Sequence, residues 1–212
     1  MKEKKLLCIK IIIGIFITIN IIIIFNKSTF AEENQTNEII LNLSFTEPQI
    51  KEINISNIIY QIVTINDTEI PNYQGLPVLP EKPLKILLPQ NSTLTSITVN
   101  FSGNTSIGDN YNLMLGNPCW SNYSEQKSQT NETNFNKSKP YPTSTFKNLG
   151  IFNFRGYSIL ILELYPVYYT EDTGEIYFYK NMSVTITTRK SGSVNPLFRR
   201  IQQDEILMKQ IV

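Results

Sequence analysis

Four prolines, Pro77, Pro80, Pro83 and Pro89, fall within thirteen residues. No helix can run through them, because proline lacks the N–H that a helix uses and its ring clashes with the preceding turn. The stretch they punctuate, Asn72 to Asn100, must therefore be extended. Within it Leu84, Ile86 and Leu88 alternate with Lys85 and Leu87, and Ile97 and Val99 alternate with Thr98 and Asn100. A period of two bounded by turn residues marks short strands of an antiparallel all-β domain, and these two runs are expected to be partners. Tyr73 to Pro80 reads as a stiff extended loop, since each residue before a proline is pushed out of the helical region. Its Leu and Val content suits packing across the end of a β-sandwich better than display as a free polyproline ligand. Nothing in the stretch carries chemistry.

The same alternation recurs on either side. Ile39 to Phe45 can place Ile39, Leu41, Leu43 and Phe45 on one face, and Ile53 to Ile65 repeats the pattern with a slip near Asn57. A bulge or a bend would absorb that slip. Tyr157 to Tyr169 is apolar on both faces around Ile159 to Leu162, as a central strand requires. It is long for one strand, so a bend at Pro166 should divide it or carry it to another sheet edge. Glu171 to Gly174 reads as a turn, after which Ile176, Phe178, Val184 and Ile186 return as its antiparallel partner. Tyr165, Tyr168, Tyr169, Tyr177 and Tyr179 suit cross-strand packing over a sheet face. An aromatic ligand platform is the sharper alternative, but no cluster of convergent polar groups accompanies it in the sequence.

Between these blocks the composition turns to Asn, Ser, Thr, Lys and Gln. Residues 103–148 are expected to be a polar, flexible insertion, in which Ser121 to Pro142 has little apolar surface to repay ordering. Lys127, Lys137, Lys139 and Lys147 read as a solvated face, or else as groups presented to an acidic cleft of a partner. Residues 190–212 read as a linker and a short helix carrying Ile201, Ile206, Leu207 and Ile211. The fold class expected is all-β, an antiparallel β-sandwich of jelly-roll-like form over residues 32–189, with the insertion and a short C-terminal helix.

Residues 1–31 have the layout of a secretory signal. Lys2, Lys4, Lys5 and Lys10 precede the apolar run Ile11 to Phe25, and Thr29 and Ala31 stand where a signal peptidase reads small residues. The run is shorter than the ~20 residues of a bilayer span. Cleavage after Ala31 is expected, with a retained N-terminal anchor as the alternative, and the location is secreted or cell-surface. A membrane partner follows only if the segment is retained. The mature chain then has 14 basic against 17 acidic residues, a net charge of −3. That balance lacks the clustered basic face that nucleic-acid binding needs.

The chain has no histidine. This excludes Ser-His and Cys-His nucleophiles, His-containing zinc sites and the usual neutral-pH base. Cys119, left alone once Cys8 is removed, cannot form an internal disulfide and has no imidazole to activate it. Glu163 with Glu171 or Asp172 is formally a carboxylate pair, though a strand edge and a turn is the simpler reading. No catalytic residue, metal or cofactor is implied. In a secreted chain the N-x-S/T sequons are glycan acceptors, with Asn122, Asn131 and Asn136 in the polar insertion the best placed. Arg199-Arg200 is a dibasic pair in a connector and a candidate processing site beside Ala31.

Two blocks carry a resemblance. Gly75-Leu76-Pro77-Val78-Leu79-Pro80 with the strand ending at Pro89, then Ile97-Thr98-Val99, resembles the first signature of the N-terminal propeptide of gingipain-type cysteine peptidases. Phe154-Arg155-Gly156-Tyr157, the run through Pro166 and Tyr168, and Thr173-Gly174 with the strand to Thr187 resemble the signature that closes it. The resemblance spans roughly residues 39–189. It implies a β-sandwich prodomain that accompanies a cysteine peptidase through secretion, assists its folding and holds it inactive. The catalytic Cys-His pair of that family belongs to a domain following the propeptide, so no catalytic residue carries over. The partner implied is a gingipain-type catalytic domain, in trans or encoded downstream. The competing function is a surface-exposed structural or adhesive β-domain without a peptidase partner.

Overall fold

The computed structural model of the protein describes residues 36–116 and 136–212. Among these, nine strands and one helix are formed: β1 (Thr36–Ser44), β2 (Gln49–Ile55), β3 (Ile58–Thr64), β4 (Lys82–Leu87), β5 (Ser92–Gly108), β6 (Phe146–Phe154), β7 (Tyr157–Leu164), β8 (Val167–Thr170), β9 (Glu175–Lys190) and α1 (Gln202–Ile211). They build an antiparallel β-sandwich. β9 is the spine of a four-stranded sheet, with β5 along one edge and β1 and β8 sharing the other. The second sheet has the order β4-β7-β6, and β2 and β3 form a separate hairpin.

Alternation explains which side chains meet. Ile176, Phe178, Met182, Val184 and Ile186 of β9 are buried in one cluster with Leu160, Leu162 and Leu164 of β7. Half-buried Ile39, Leu41 and Leu43 of β1 pack on that cluster, as do Ile97 and Val99 of β5, which stand opposite Ile186 and Val184. The other face of β7 is apolar too, and α1 supplies its cover. Tyr157 and Ile159 pack with Met208, joined by Ile161, Leu207 and Phe198. A helix of ten residues is too short to hold its shape alone in water, so this contact sustains it. The residue that docks is Met208, fully buried, whereas Ile206 of the expected apolar set is exposed.

Several pairings differ from the sequence expectation. The slip near Asn57 is a two-residue hairpin turn: Ser56 and Asn57 both take positive φ (53° and 66°), and Ile55 pairs with Ile58. β4 pairs with β7, and β5 with β9, so the two runs of the proline-rich stretch lie in different sheets. The long apolar run divides at Pro166, which is buried: β7 pairs with β4 and β6, and only β8 pairs with β9. Period two identifies a strand without naming its partner.

The insertion is narrower than its composition suggests. β5 continues to Gly108 and β6 begins at Phe146, while Asn112 to Gly116 is hydrogen-bonded into the fold. Polar residues sit well in β5 because it is an edge strand with most of its later side chains in solvent. The expectations for residues 1–31, Cys119, Asn122, Lys127 and Asn131 lie outside the described residues.

Candidate functional site

The proline-rich loop is held by backbone pairing. Gly75 N–H donates to Gly116 O (2.8 Å), Gly116 N–H to Leu76 O (2.8 Å), and Val78 N–H to Met114 O (2.9 Å). On its other side the same segment pairs with β3: Gln61 N–H donates to Asn112 O (2.9 Å) and Met114 N–H to Gln61 O (3.1 Å). Asn112 to Gly116 thus laces the loop to the β2–β3 hairpin. Gly75 has φ +71°, and a Cβ on Gly116 would lie 2.1 Å from Tyr73 O, so close backbone approach fixes glycine there. Pro77, Val78, Leu79 and Pro80 are all buried, whereas Pro89 is exposed.

Immediately after Pro80 the chain buries a carboxylate. Glu81 is 7% exposed, bonded through its backbone to Glu69 and through Oε2 to the Tyr73 hydroxyl, which donates at 3.3 Å. Glu163 of β7 contributes a second negative charge to this corner and accepts from the Tyr165 hydroxyl (3.2 Å), with Lys147 Nζ 3.9 Å away. Desolvation, then the charge of Glu163, pushes the Glu81 carboxyl up to about 7, against the pull of Tyr73 and Lys147. Burial and the same carboxylates raise Tyr73 to about 12, and raise Tyr141 and Tyr165 as well. Glu163 does not meet Glu171 or Asp172. Those two lie in the turn after β8, where Lys137 pairs with Glu171 (2.8 Å) and the Ser138 hydroxyl with Asp172.

The second signature block forms a turn and a latch. Arg155 (φ 51°) and Gly156 (φ 83°) make the two-residue β6–β7 turn, and a Cβ on Gly156 would meet Phe198 N at 2.3 Å. Arg155 Nη1 donates to Asp204 Oδ1 at 2.7 Å, and Arg199 grips both oxygens of the same carboxylate. Asp204 is 1% exposed and its carboxyl is held below the usual range by the Arg155 hydrogen bond, despite burial, with Arg199 adding to the effect. Both members of the dibasic pair are exposed, but the Arg199 guanidinium is engaged by Asp204 of the helix. Gly174 (φ +65°) ends the β8–β9 turn where Asn110 and Tyr111 donate backbone hydrogen bonds to Thr173 O and Gly174 O.

The signature residues are thus dispersed: Gly75 to Pro80 at the laced loop, Arg155 and Gly156 at the helix latch, Pro166, Tyr168 and Gly174 around β8. Glu81, Asp204, Phe198 and Gly116 were missed by sequence reasoning. Glu81 lies between Pro80 and Lys82 like a solvated turn residue, and Asp204 finds Arg155 across 49 positions, so no local pattern marks either. Among the described residues no group of three or more His, Cys, Asp or Glu is arranged to hold a metal ion.

Residues 26–207 match the family model described as Propeptide_C25. Two solved structures from Porphyromonas gingivalis share the fold. One is a complex of RgpB pro- and mature domains (TM-score 0.59, 14% identity, covering 86% of this chain and 94% of that one). The other concerns the zymogenic latency of gingipain K (TM-score 0.51, 17% identity, 75% and 94% covered). No curated protein matches the chain.

Proposed function

The chain belongs to the C25 propeptide family, and from that membership we propose that it assists the folding of a gingipain-type cysteine peptidase and masks its active site. It is a non-catalytic propeptide module. The observation that carries the reading is the reach of the family match, which runs through both sheets and into α1. A chain without histidine leaves Cys-His chemistry to the peptidase, supplied in trans or encoded downstream. What the propeptide contributes is a fixed shape, supported by the buried Pro77 to Pro80 loop and the latched helix.

Purified residues 32–212 titrated against such a peptidase should reduce turnover to a saturating minimum and raise the yield of active enzyme on refolding. Turnover and yield both unchanged across the titration would sink the reading and leave the adhesive β-domain standing. Export with cleavage after Ala31 accompanies this proposal, and N-terminal sequencing of the secreted protein tests it. At the dibasic pair we place cleavage after exposed Arg200, because Arg199 is held by Asp204. Among the three candidate glycan acceptors, Asn136 is the described one; it is exposed, and its Oδ1 accepts from the Ser138 N–H at 3.1 Å.

A further inference from the structure

β5 is an outer strand with one bare edge. It pairs with β9 alone, so among the described residues no strand takes up the backbone groups on its other side. Such a row of N–H and C=O groups is a template for another strand, and natural sheets blunt their edges with charge, proline or a bulge. The other outer strands of the sandwich follow that rule. β4 carries Lys82, Pro83 and Lys85, β1 carries Glu38, and β6 carries Lys147 and a register break between Asn148 and Gly150. Short β8 is bridged at Tyr169 by Tyr141. β5 has neither a charged residue nor a proline in its 17 residues. Its register breaks fall at Leu94/Ser96 and Ser106/Gly108, which leaves residues 96–106 in unbroken register with β9.

The core is also left open along this edge. Val184 and Ile186 of β9 are fully buried, whereas Val99 and Ile97, standing opposite them, are only half-buried. Thr98 and Asn100 alternate with these two and are exposed on the outer face. A strand that covers the edge must therefore offer apolar residues inward and short polar ones outward, with no charge to desolvate unpaired. β5 itself meets that description. Two copies running antiparallel about a two-fold axis at Thr98 bring Ile97 opposite Val99, Thr98 opposite Thr98 and Ser96 opposite Asn100. Apolar groups meet apolar groups, hydroxyls meet a hydroxyl or an amide, and no charge is buried. Two-fold pairing is the commonest closed symmetry of soluble oligomers, and here it removes both bare edges at once by joining two sheets into one.

We propose that the chain forms a two-fold dimer through antiparallel pairing of β5 with β5 of a second copy, centred on Thr98. This pairing goes beyond the peptidase reading above and does not depend on it.

Sedimentation velocity of the full chain over a concentration series should show a monomer–dimer equilibrium. Hydrogen exchange at the amides of residues 96–102 should slow as the dimer fills, while exchange in β1 stays constant. Thr98→Lys and Thr98→Glu each set like charges face to face across the axis and should weaken association about fivefold or more. The monomer's thermal midpoint should not move, because Thr98 is exposed. An equimolar mixture of the two variants should restore association, since Lys then faces Glu. Glu38→Lys, on the β1 edge, should leave it as in the unaltered chain. The exchange measurement needs no substitution, so it decides the matter even where a variant folds poorly. A chain that sediments as a monomer at every concentration, a dimer indifferent to both Thr98 substitutions, a mixture no better than either variant alone, or exchange protection in β1 instead of β5 would each overturn the proposal.

Discussion

Arg155 and Asp204 stand 49 residues apart in the chain and 2.7 Å apart in the fold, and their ion pair fastens α1 to the β6–β7 turn. Arg199 closes on the same carboxylate from the connector. Asp204→Ala should free both guanidinium groups to water and detach the helix, because Met208 and Leu207 alone hold a short segment. Limited digestion with an arginine-specific protease should then cut after Arg199 as readily as after Arg200, and the melting temperature should fall. Since the Asp204 carboxyl is held below its ordinary range, its contribution is complete above that range and is lost as the pH falls through the depressed value. Digestion unchanged by the substitution would remove the latch.

Glu81 works in the opposite direction. Its carboxyl is raised to about 7, so the folded state holds the proton more tightly than the unfolded chain. The associated stability is present in acid and is lost as the pH rises from the ordinary glutamate range through about 7. Thermal melts should therefore show a midpoint that declines over that window. Glu81→Gln should flatten the decline and gain up to about 3 kcal/mol at pH 8. A wild-type midpoint that rises over the same window would contradict this environment for Glu81.

Gly156 and Gly192 have similar positive φ (83° and 75°) but different surroundings. A Cβ on Gly156 meets the Phe198 backbone, whereas one on Gly192 meets nothing within 4 Å. Gly192→Ala should cost about 1 kcal/mol, the conformational strain alone. Gly156→Ala should cost about 3 kcal/mol or more in denaturant melts, since backbone must move as well. Equal losses would show that the connector does not press on the turn.

Leu162 is fully buried between the sheets, and Ile206 is 51% exposed on the outside of α1. Leu162→Ala should destabilise by about 2–5 kcal/mol through lost burial and a residual cavity. Ile206→Ala should stay within about 0.5 kcal/mol. Chemical denaturation of both variants checks the assignment, and a large effect at Ile206 would mean that the outer face of the helix is covered.

Strand content was legible in the chain because alternation is a local property. Ile39, Leu41 and Leu43, or Ile176 and Phe178, announce a face by spacing alone. The double-sided run of β7 announced that something covers each side, and Pro166 announced the break. The Ser56-Asn57 turn was not legible, because neither residue is glycine and an apolar run continues through it.

By itself, then, the sequence determined an extended, all-β chain with no imidazole chemistry and two signature blocks in propeptide order. These are consequences of composition and short-range period, which need no knowledge of partners. Only the tertiary structure decided that β4 joins β7 while β5 joins β9, that Glu81 is buried near Glu163, and that Asp204 holds Arg155 and Arg199. Those facts rest on long-range pairing, burial and electrostatics, and a residue's distance to its partner in space is not written in its neighbours along the chain.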